Sequence, residues 1–170
     1  MHHLQGKAKL VTSAELTALL LDLYRDKAAL FGRHVAGARS VASYDFNNTY
    51  QYVVNREDAQ VAWVRRALEE IGVSVPDAVP ALAVPAGRDA EPAVIADDAR
   101  LMQEFLDRWT PRLAGMTNAR HRRMLEVILG ETLEHKRFFD QMTAGRDDLL
   151  GRRHANIGTG GGVLSTRWVE

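Results

Sequence analysis

Hydrophobic residues recur every three or four positions in four long stretches of this chain, which is the spacing of amphipathic helices. The first stretch begins near Thr12, which together with Glu15 fits a capping box, and continues to about Ala38. The second begins at one of several caps within residues 43–48 and runs to Gly72, a typical C-terminal stop. The first half of the chain is therefore predicted to fold as two helices joined by a short turn.

The second half carries two further helical stretches. Pro92 suits the first turn of the third helix, and Pro111 is expected to kink or break that helix near its end. Asn118 is predicted to be the N-cap of the fourth helix, which continues to about Thr143 and is ended by Gly145. The predicted inward face of the fourth helix is formed by Leu125, Ile128, Thr132, His135, Phe139 and Met142.

A stretch without helical period separates the two halves. Residues 73–91 contain Pro76, Pro80, Pro85 and Gly87 among small apolar residues. A connection of this length is unusual within a compact domain. It is expected to carry the chain from one end of a bundle to the other, so that the flanking helices run parallel. An interdomain linker is the alternative interpretation.

The C-terminal segment, residues 146–170, differs in composition from the helices. Its glycine cluster at 158–162 lacks the Walker Lys and the preceding strand of a phosphate loop. It also fails the dinucleotide pattern, because Val163 stands where the third glycine should be. No nucleotide is therefore expected. The segment is predicted to be a flexible tail, and the alternative is that Val163, Leu164 and Trp168 dock on the bundle or on a neighbouring subunit.

Composition narrows the class of protein further. The 170 residues are 46% hydrophobic, which suits one globular domain with a sizeable core. Lys plus Arg and Asp plus Glu number 22 each, and this balance argues against nucleic acid or an anionic membrane as a partner. The absence of cysteine excludes disulfides, thiolate nucleophiles and Cys-ligated metals. No run approaches the ~20 apolar residues of a membrane span, and the N-terminus lacks the apolar core of a secretory signal. We therefore expect a cytoplasmic location.

Several ionisable side chains fall on the predicted inward faces. Glu131 and His135 lie four residues apart in the fourth helix, Glu57 has apolar neighbours on both sides in the second, and Asp98 lies beside the stripe of the third. Lys27 falls near the centre of the first helical stripe. Ionisable groups at such positions need a partner, which is another side chain, a metal ion or a water molecule.

This pattern of helices and carboxylates resembles the ferritin-like superfamily, which includes bacterioferritins, rubrerythrins and diiron-carboxylate oxygenases. The resemblance covers Ala14 to Thr143. It implies an all-α fold: a ferritin-like antiparallel four-helix bundle over residues 1–145, with a long crossover between helices two and three and an irregular tail at 146–170. Another up-down helical bundle is the alternative.

The superfamily holds two iron ions with a Glu from helices one and three and Glu-x-x-His from helices two and four. Glu57 matches the Glu of helix two, whereas Gln60 stands where its His should be. His135 matches the His of helix four, with Glu131 one residue earlier than the motif, and Asp98 is the candidate on helix three. The resemblance thus implies iron or another divalent metal as cofactor, with no haem motif, and as metal ligands Glu57, Glu131, His135, Asp98 and Gln60.

Lys27 is the main departure from this pattern, because it occupies the position of the ligating Glu of helix one. Light-chain ferritins lose their oxidation centre in a similar way, with Lys in place of a metal-binding Glu. Lys27 is therefore expected to be a counter-ion in place of a metal, among Glu57, Asp98 and Glu131. The alternative is a side chain at the edge of the core that extends its ammonium to solvent.

Three functional interpretations stay open at this point. In the first, the core site binds a metal ion for redox chemistry, oxygen chemistry or metal storage. In the second, the core is a metal-free Lys–carboxylate network, and the protein is a non-catalytic structural or interaction module. In the third, a small-molecule carrier or an enzyme of unrelated chemistry uses a pocket lined by Tyr24, Tyr50 and Trp109. No catalytic residue is assigned, and the sequence does not decide whether the protein is an enzyme.

Surface positions give weaker expectations. A homodimer is predicted, with the aromatic residues off the core stripe, Tyr44, Phe46, Tyr52 and Trp63, as its contact face. The basic run 120–123 is interpreted as a solvated face, with an acidic partner as the alternative. The histidines without companions at metal-ligand spacing are expected to face solvent: His2, His3, His121 and His154.

Overall fold

The computed structural model describes residues 13–76, 79–80, 82–87 and 89–151, and this part of the chain is helical with no strand. Its elements are α1 (Ser13–Ala38), α2 (Tyr44–Glu70), α3 (Glu91–Trp109), a short 3-10 helix (Pro111–Gly115) and α4 (Ala119–Thr143). The four predicted helices are confirmed. The predicted Thr12 cap, the tail beyond residue 151 and three of the four solvent-facing histidines (His2, His3 and His154) lie outside the described residues.

Local sequence signals set the helix ends. Ser43 caps α2 by accepting a hydrogen bond from the Phe46 amide at 3.4 Å, and Asn118 caps α4 by accepting one from the His121 amide at 3.1 Å. Gly72 and Gly145 follow α2 and α4 with φ angles of 77° and 82°, a left-handed conformation that favours glycine.

Pro111 produces the predicted break at the end of α3. The α-helix stops at Trp109, and Pro111 opens the 3-10 helix that leads to the cap of α4. Proline has no amide hydrogen to continue the α-helical ladder and clashes with the preceding turn, so the change of helix type at this residue follows from its covalent structure.

The core lies between the helices. α1 packs on α2 and α3, and α4 packs on the same two helices. Hydrogen bonds join α1 to its two neighbours. The Ala38 carbonyl accepts from the Asn47 side chain of α2 at 2.9 Å, and Trp109 Nε1 of α3 donates to Asp26 Oδ2 at 2.8 Å. Side chains that are fully enclosed include Leu20, Leu23, Val53, Leu68, Val94, Met102, Trp109, Leu125, Ile128 and Phe139. None of the helices in the described ranges is long and apolar enough to cross a bilayer.

Candidate functional site

A buried ion pair joins α1 to α2 in the middle of the bundle. Lys27 Nζ lies 2.7 Å from Glu57 Oε1, and His34 Nδ1 lies 2.7 Å from Glu57 Oε2. All three side chains are fully buried. Lys27 Nζ also lies 5.3 Å from the centroid of the Phe105 ring on α3, close enough for a cation–π interaction. Both oxygens of the Glu57 carboxylate are therefore engaged by groups from α1.

This arrangement keeps Glu57 ionised. Burial by itself raises the pKa of the Glu57 carboxyl, but His34 and Lys27 together outweigh burial and lower that pKa to about 2. An ionised carboxylate only accepts hydrogen bonds, so His34 carries a proton on Nδ1 and donates it to Glu57. The second ring nitrogen of His34 has no hydrogen-bond partner among the described residues.

A second buried carboxylate, Asp98 of α3, has its own partners. The Tyr50 hydroxyl donates to Asp98 Oδ2 at 2.5 Å, and Arg33 Nη2 lies 3.1 Å from Asp98 Oδ1 without hydrogen-bond geometry. Arg33 also donates to Asp97 Oδ2 at 3.2 Å. Burial raises the pKa of Asp98, against the opposing influence of His34, Tyr50 and Arg33. Burial and the Asp98 carboxylate also raise the pKa of Tyr50, so this hydroxyl remains a donor.

Glu131 of α4 is paired on the other side of the bundle. Arg56 donates to Glu131 Oε1, and Gln60 Nε2 donates to Glu131 Oε2 at 2.5 Å. Burial raises the pKa of Glu131, but these two partners outweigh it and the net shift is downward. The predicted contact of Lys27 with Glu57 is thus present. Its predicted role as counter-ion to Asp98 and Glu131 stays a prediction, and the hydrogen bonds of those two acids come from Tyr50, Arg56 and Gln60.

His135 differs from the other site residues because neither of its ring nitrogens has a hydrogen-bond partner among the described residues. The side chain is fully buried, with the Tyr52 ring 5.9 Å away edge-on and the Phe138 ring 6.4 Å away. Burial lowers the pKa of His135 to about 4, so the imidazole is neutral at pH 7. One turn earlier, the Thr132 hydroxyl donates to the Ile128 carbonyl at 2.8 Å, so it is not directed at the imidazole.

These contacts decide how well the implied metal ligands fit a metal ion. Each of the three acids already has a cationic partner: Lys27 for Glu57, Arg33 for Asp98 and Arg56 for Glu131. These cations lie where a metal ion would supply positive charge. No group of three or more His, Asp or Glu side chains in the described part of the chain has an arrangement that would hold a metal ion. The residues as arranged do not fit a diiron centre, and the ligand role of Glu57, Glu131, His135, Asp98 and Gln60 stays a prediction.

Sequence reasoning missed four site residues. His34 lies on or beside the apolar stripe of α1, but its contact with Glu57 was not predicted. Arg33 is fully buried. It lies three residues after Leu30, so its position near the apolar stripe of α1 could have indicated that it faces inward. Tyr50 was interpreted as a pocket or core aromatic, although its hydroxyl implied a buried partner. Arg56 is half-buried beside the inward face of α2, where spacing alone does not distinguish a cross-helix pair from a solvated charge.

The structure also bears on two other expectations. The prediction that His121 faces solvent was wrong: it is 6% exposed, because it lies one turn before Leu125 on the inward face of α4. Tyr24, Tyr50 and Trp109 are buried in the core. Two surface cavities of about 780 and 300 Å³ have walls that include none of these three aromatic residues.

Relatives add no further constraint on the site. Comparison of the chain with protein-family models, with curated proteins and with solved structures gave no match.

Proposed function

We propose that this protein is a ferritin-like bundle whose core holds a Lys–carboxylate network in place of a metal centre, and that it works as a non-catalytic structural or interaction module. The observation that carries this proposal is the fully buried pair of Lys27 Nζ and Glu57 Oε1 at 2.7 Å. The ammonium of Lys27 supplies the positive charge that a carboxylate at this depth requires, so Glu57 is satisfied without a metal ion.

Contacts between helices support the ferritin-like topology in this proposal. Along α1, Lys27 meets Glu57 and Ala38 meets Asn47, so residue numbers rise on one helix as they fall on the other. The same order holds for α2 with α4, where Arg56 meets Glu131 and the Glu70 carboxylate lies 2.6 Å from Arg120.

The contacts between α1 and α3 complete this argument. Asp26 meets Trp109, and Arg33 meets Asp97, which is again the antiparallel order. If α1 runs antiparallel to both α2 and α3, those two helices run parallel to each other. The long connection between Glu70 and Glu91 is then the crossover that a ferritin-like bundle requires.

Elemental analysis tests the proposal. Protein purified without chelator should carry no stoichiometric transition metal, and anaerobic ferrous loading should not add any. Lys27→Glu removes the ammonium and restores a carboxylate at the position of the superfamily ligand, so this variant should gain metal on the same treatment. Stoichiometric metal in the unmodified protein that is lost in the Glu57→Ala/His135→Ala variant would refute the metal-free function.

A second candidate function, the binding of one divalent metal ion, is favoured by a single observation. His135 is neutral at pH 7 and has two buried ring nitrogens without partners among the described residues, which is the state in which imidazole ligates metals. A metal ion there would have to recruit Glu131 or Gln60, whose mutual hydrogen bond would break. Loss of bound zinc or manganese in His135→Phe alone, with Glu57 intact, would identify this site.

The predicted homodimer and cytoplasmic location are further parts of the proposal. Exposed aromatic side chains on α2 support a contact face, since Tyr44 is 70% exposed. Light scattering coupled to size-exclusion chromatography distinguishes the dimer from a monomer.

A further inference from the structure

The larger surface cavity lies at one end of the bundle, away from the core network. Its volume is about 780 Å³, which falls within the ~300–1,000 Å³ range of small-molecule sites. Its walls come from three segments: the end of α1 with the turn after it, residues 84–87 and 89 of the crossover connection, and the start of α3. Ala36 in this wall lies nine residues after Lys27, or ~14 Å along the axis of α1.

The walls of this cavity carry opposite charges that are not paired with each other. Arg39 supplies a guanidinium and Asp89 a carboxylate, and both residues are exposed. Neither side chain forms an ion pair or a hydrogen bond with any other described residue. The Glu91 carboxylate in the same wall differs, because it accepts hydrogen bonds from the amides of Ala42 and Ser43 at 2.6 and 3.1 Å. Among the described wall residues, one cation and one anion are therefore left to interact with a ligand.

The rest of the wall is formed mainly by small apolar side chains. Those on the crossover and at the two helix ends are Ala36, Val84, Pro85, Ala86 and Ala90. Ser40 adds a hydroxyl next to Arg39 in the chain. Apolar walls with a few charged or polar groups are typical of sites that bind small molecules, since the polar groups fix the orientation of the ligand.

We propose that this cavity binds a small zwitterion that carries one ammonium and one carboxylate group, as a free α-amino acid or a short peptide with free termini does. Arg39 binds the carboxylate, because the planar guanidinium forms two parallel hydrogen bonds with a carboxylate. Asp89 binds the ammonium, and the small apolar walls contact a short aliphatic side chain. The proposal does not depend on the metal-free function, because none of these groups belongs to the core network.

Amide NMR of the full-length, ¹⁵N-labelled protein tests the site with L-alanine and trialanine as probes. At ~10 mM probe, a dissociation constant of ~1 mM corresponds to ~90% occupancy. The amide signals of Ser40, Ala42 and Gly87, which lie in the wall, should shift to saturation, whereas that of Gly130 in α4 should not. Tighter binding of L-alanine identifies a free amino acid as the ligand, and tighter binding of trialanine identifies a peptide. Wall signals that do not shift with either probe would refute the proposal.

Two wall variants show whether the two charges bind the zwitterion. Arg39→Gln and Asp89→Asn should each weaken the binding of the tighter probe by ~10-fold or more, because each removes a hydrogen bond between charged groups. The matched controls are Arg25→Gln and Asp58→Asn, which change exposed residues outside the cavity wall and should leave the affinity unchanged. An affinity that stays the same in both wall variants would overturn the proposal.

Two probes with a single charge assign each contact. N-acetylalanine keeps only the carboxylate, so Arg39→Gln should weaken its binding and Asp89→Asn should not. Alaninamide keeps only the ammonium, so the effects of the two variants should be reversed. Equal affinities for N-acetylalanine and L-alanine would contradict the zwitterion, because they would identify an anion site in which Asp89 has no part.

Discussion

Replacement of Lys27 by Met measures the contribution of the buried ion pair. Met retains most of the length and apolar volume of the Lys stem but removes the ammonium that lies 2.7 Å from Glu57. Among the described residues, the fully buried Glu57 carboxylate would then keep only its hydrogen bond with His34. We expect the folded state to lose stability at pH 7, because a buried charge that loses its partner keeps its desolvation cost.

The magnitude follows from the general cost of breaking a buried ion pair. The pKa of Glu57 is lowered to about 2 by His34 and Lys27 together, so this shift is not the contribution of Lys27 alone. Breaking a buried pair by removing one partner typically costs ~3–5 kcal/mol. The free energy of unfolding of Lys27→Met should therefore fall by ~3 kcal/mol.

Urea denaturation followed by circular dichroism is the assay. The midpoint should fall by ~1–3 M, since a protein of this size loses ~1–3 kcal/mol per molar urea. The double variant Lys27→Met/Glu57→Gln is the control, and it should be more stable than the sum of the two single changes predicts, because it removes both charges together. A loss below ~1 kcal/mol in Lys27→Met, or single costs that add within ~0.5 kcal/mol, would refute the reasoning.

The same pair predicts a pH dependence with a definite sign. The pKa of Glu57 is lower in the folded chain than its ordinary 4.5, so its ionised form contributes stability above pH 4.5. This contribution is lost as the pH falls through about 2. The Glu57→Gln variant should therefore show a shallower loss of stability between pH 4.5 and 2 than the unmodified chain, and equal slopes for the two would contradict the prediction.

Three further predictions concern other core residues. Gly37→Ala should lower the thermal midpoint, because the added Cβ would lie 2.9 Å from Asp98 Oδ2 and overpacking of this kind costs ~1–3 kcal/mol. The control is Gly130→Ala at an exposed position of α4, where the added Cβ meets no atom within 4 Å. This variant should stabilise the protein by ~1 kcal/mol. Equal effects in the two variants would contradict the close approach at Gly37. Tyr50→Phe should cost ~1–3 kcal/mol in urea denaturation, since it leaves the buried Asp98 carboxylate without its hydroxyl donor, and a neutral substitution would show that this hydrogen bond is not formed. The pKa of His135 is about 4 in the folded chain, below its ordinary 6.5, so its contribution to stability is present above pH 6.5 and declines as the pH falls towards 4. The NMR signal of its C2 proton should therefore not titrate between pH 7 and 5.5. A titration midpoint near 6.5 would contradict the burial of His135.

Helix positions were predictable because their signals are local. Asn118 and Gly145 bound α4 where the sequence predicts, and Pro111 ends the α-helical part of α3. Capping hydrogen bonds, left-handed glycine and the missing proline amide act within one turn, so neighbouring residues suffice to predict them.

The inward direction of several polar residues was also predictable. Lys27, Glu57, Asp98 and His135 are all fully buried, as their positions on or beside the apolar stripes indicate. Arg33 and His121 are also buried but were not predicted to be, and for His121 the reason is that the inward stripe was begun one turn too late, at Leu125. Spacing within a helix fixes the face on which a side chain lies, and apolar burial then fixes which face turns inward.

Partner choice was decided only by the tertiary structure. The sequence by itself determined four helices and a Lys on the first helical stripe, and it left open whether Lys27 is a counter-ion of several acids or lies at the edge of the core. In the folded chain Lys27 pairs with Glu57, Arg56 binds Glu131, and Asp98 accepts from Tyr50 beside Arg33. Such pairings depend on the axial offset and rotation of one helix against another, and these are set by the packing of whole helix faces rather than by residue spacing along one chain segment.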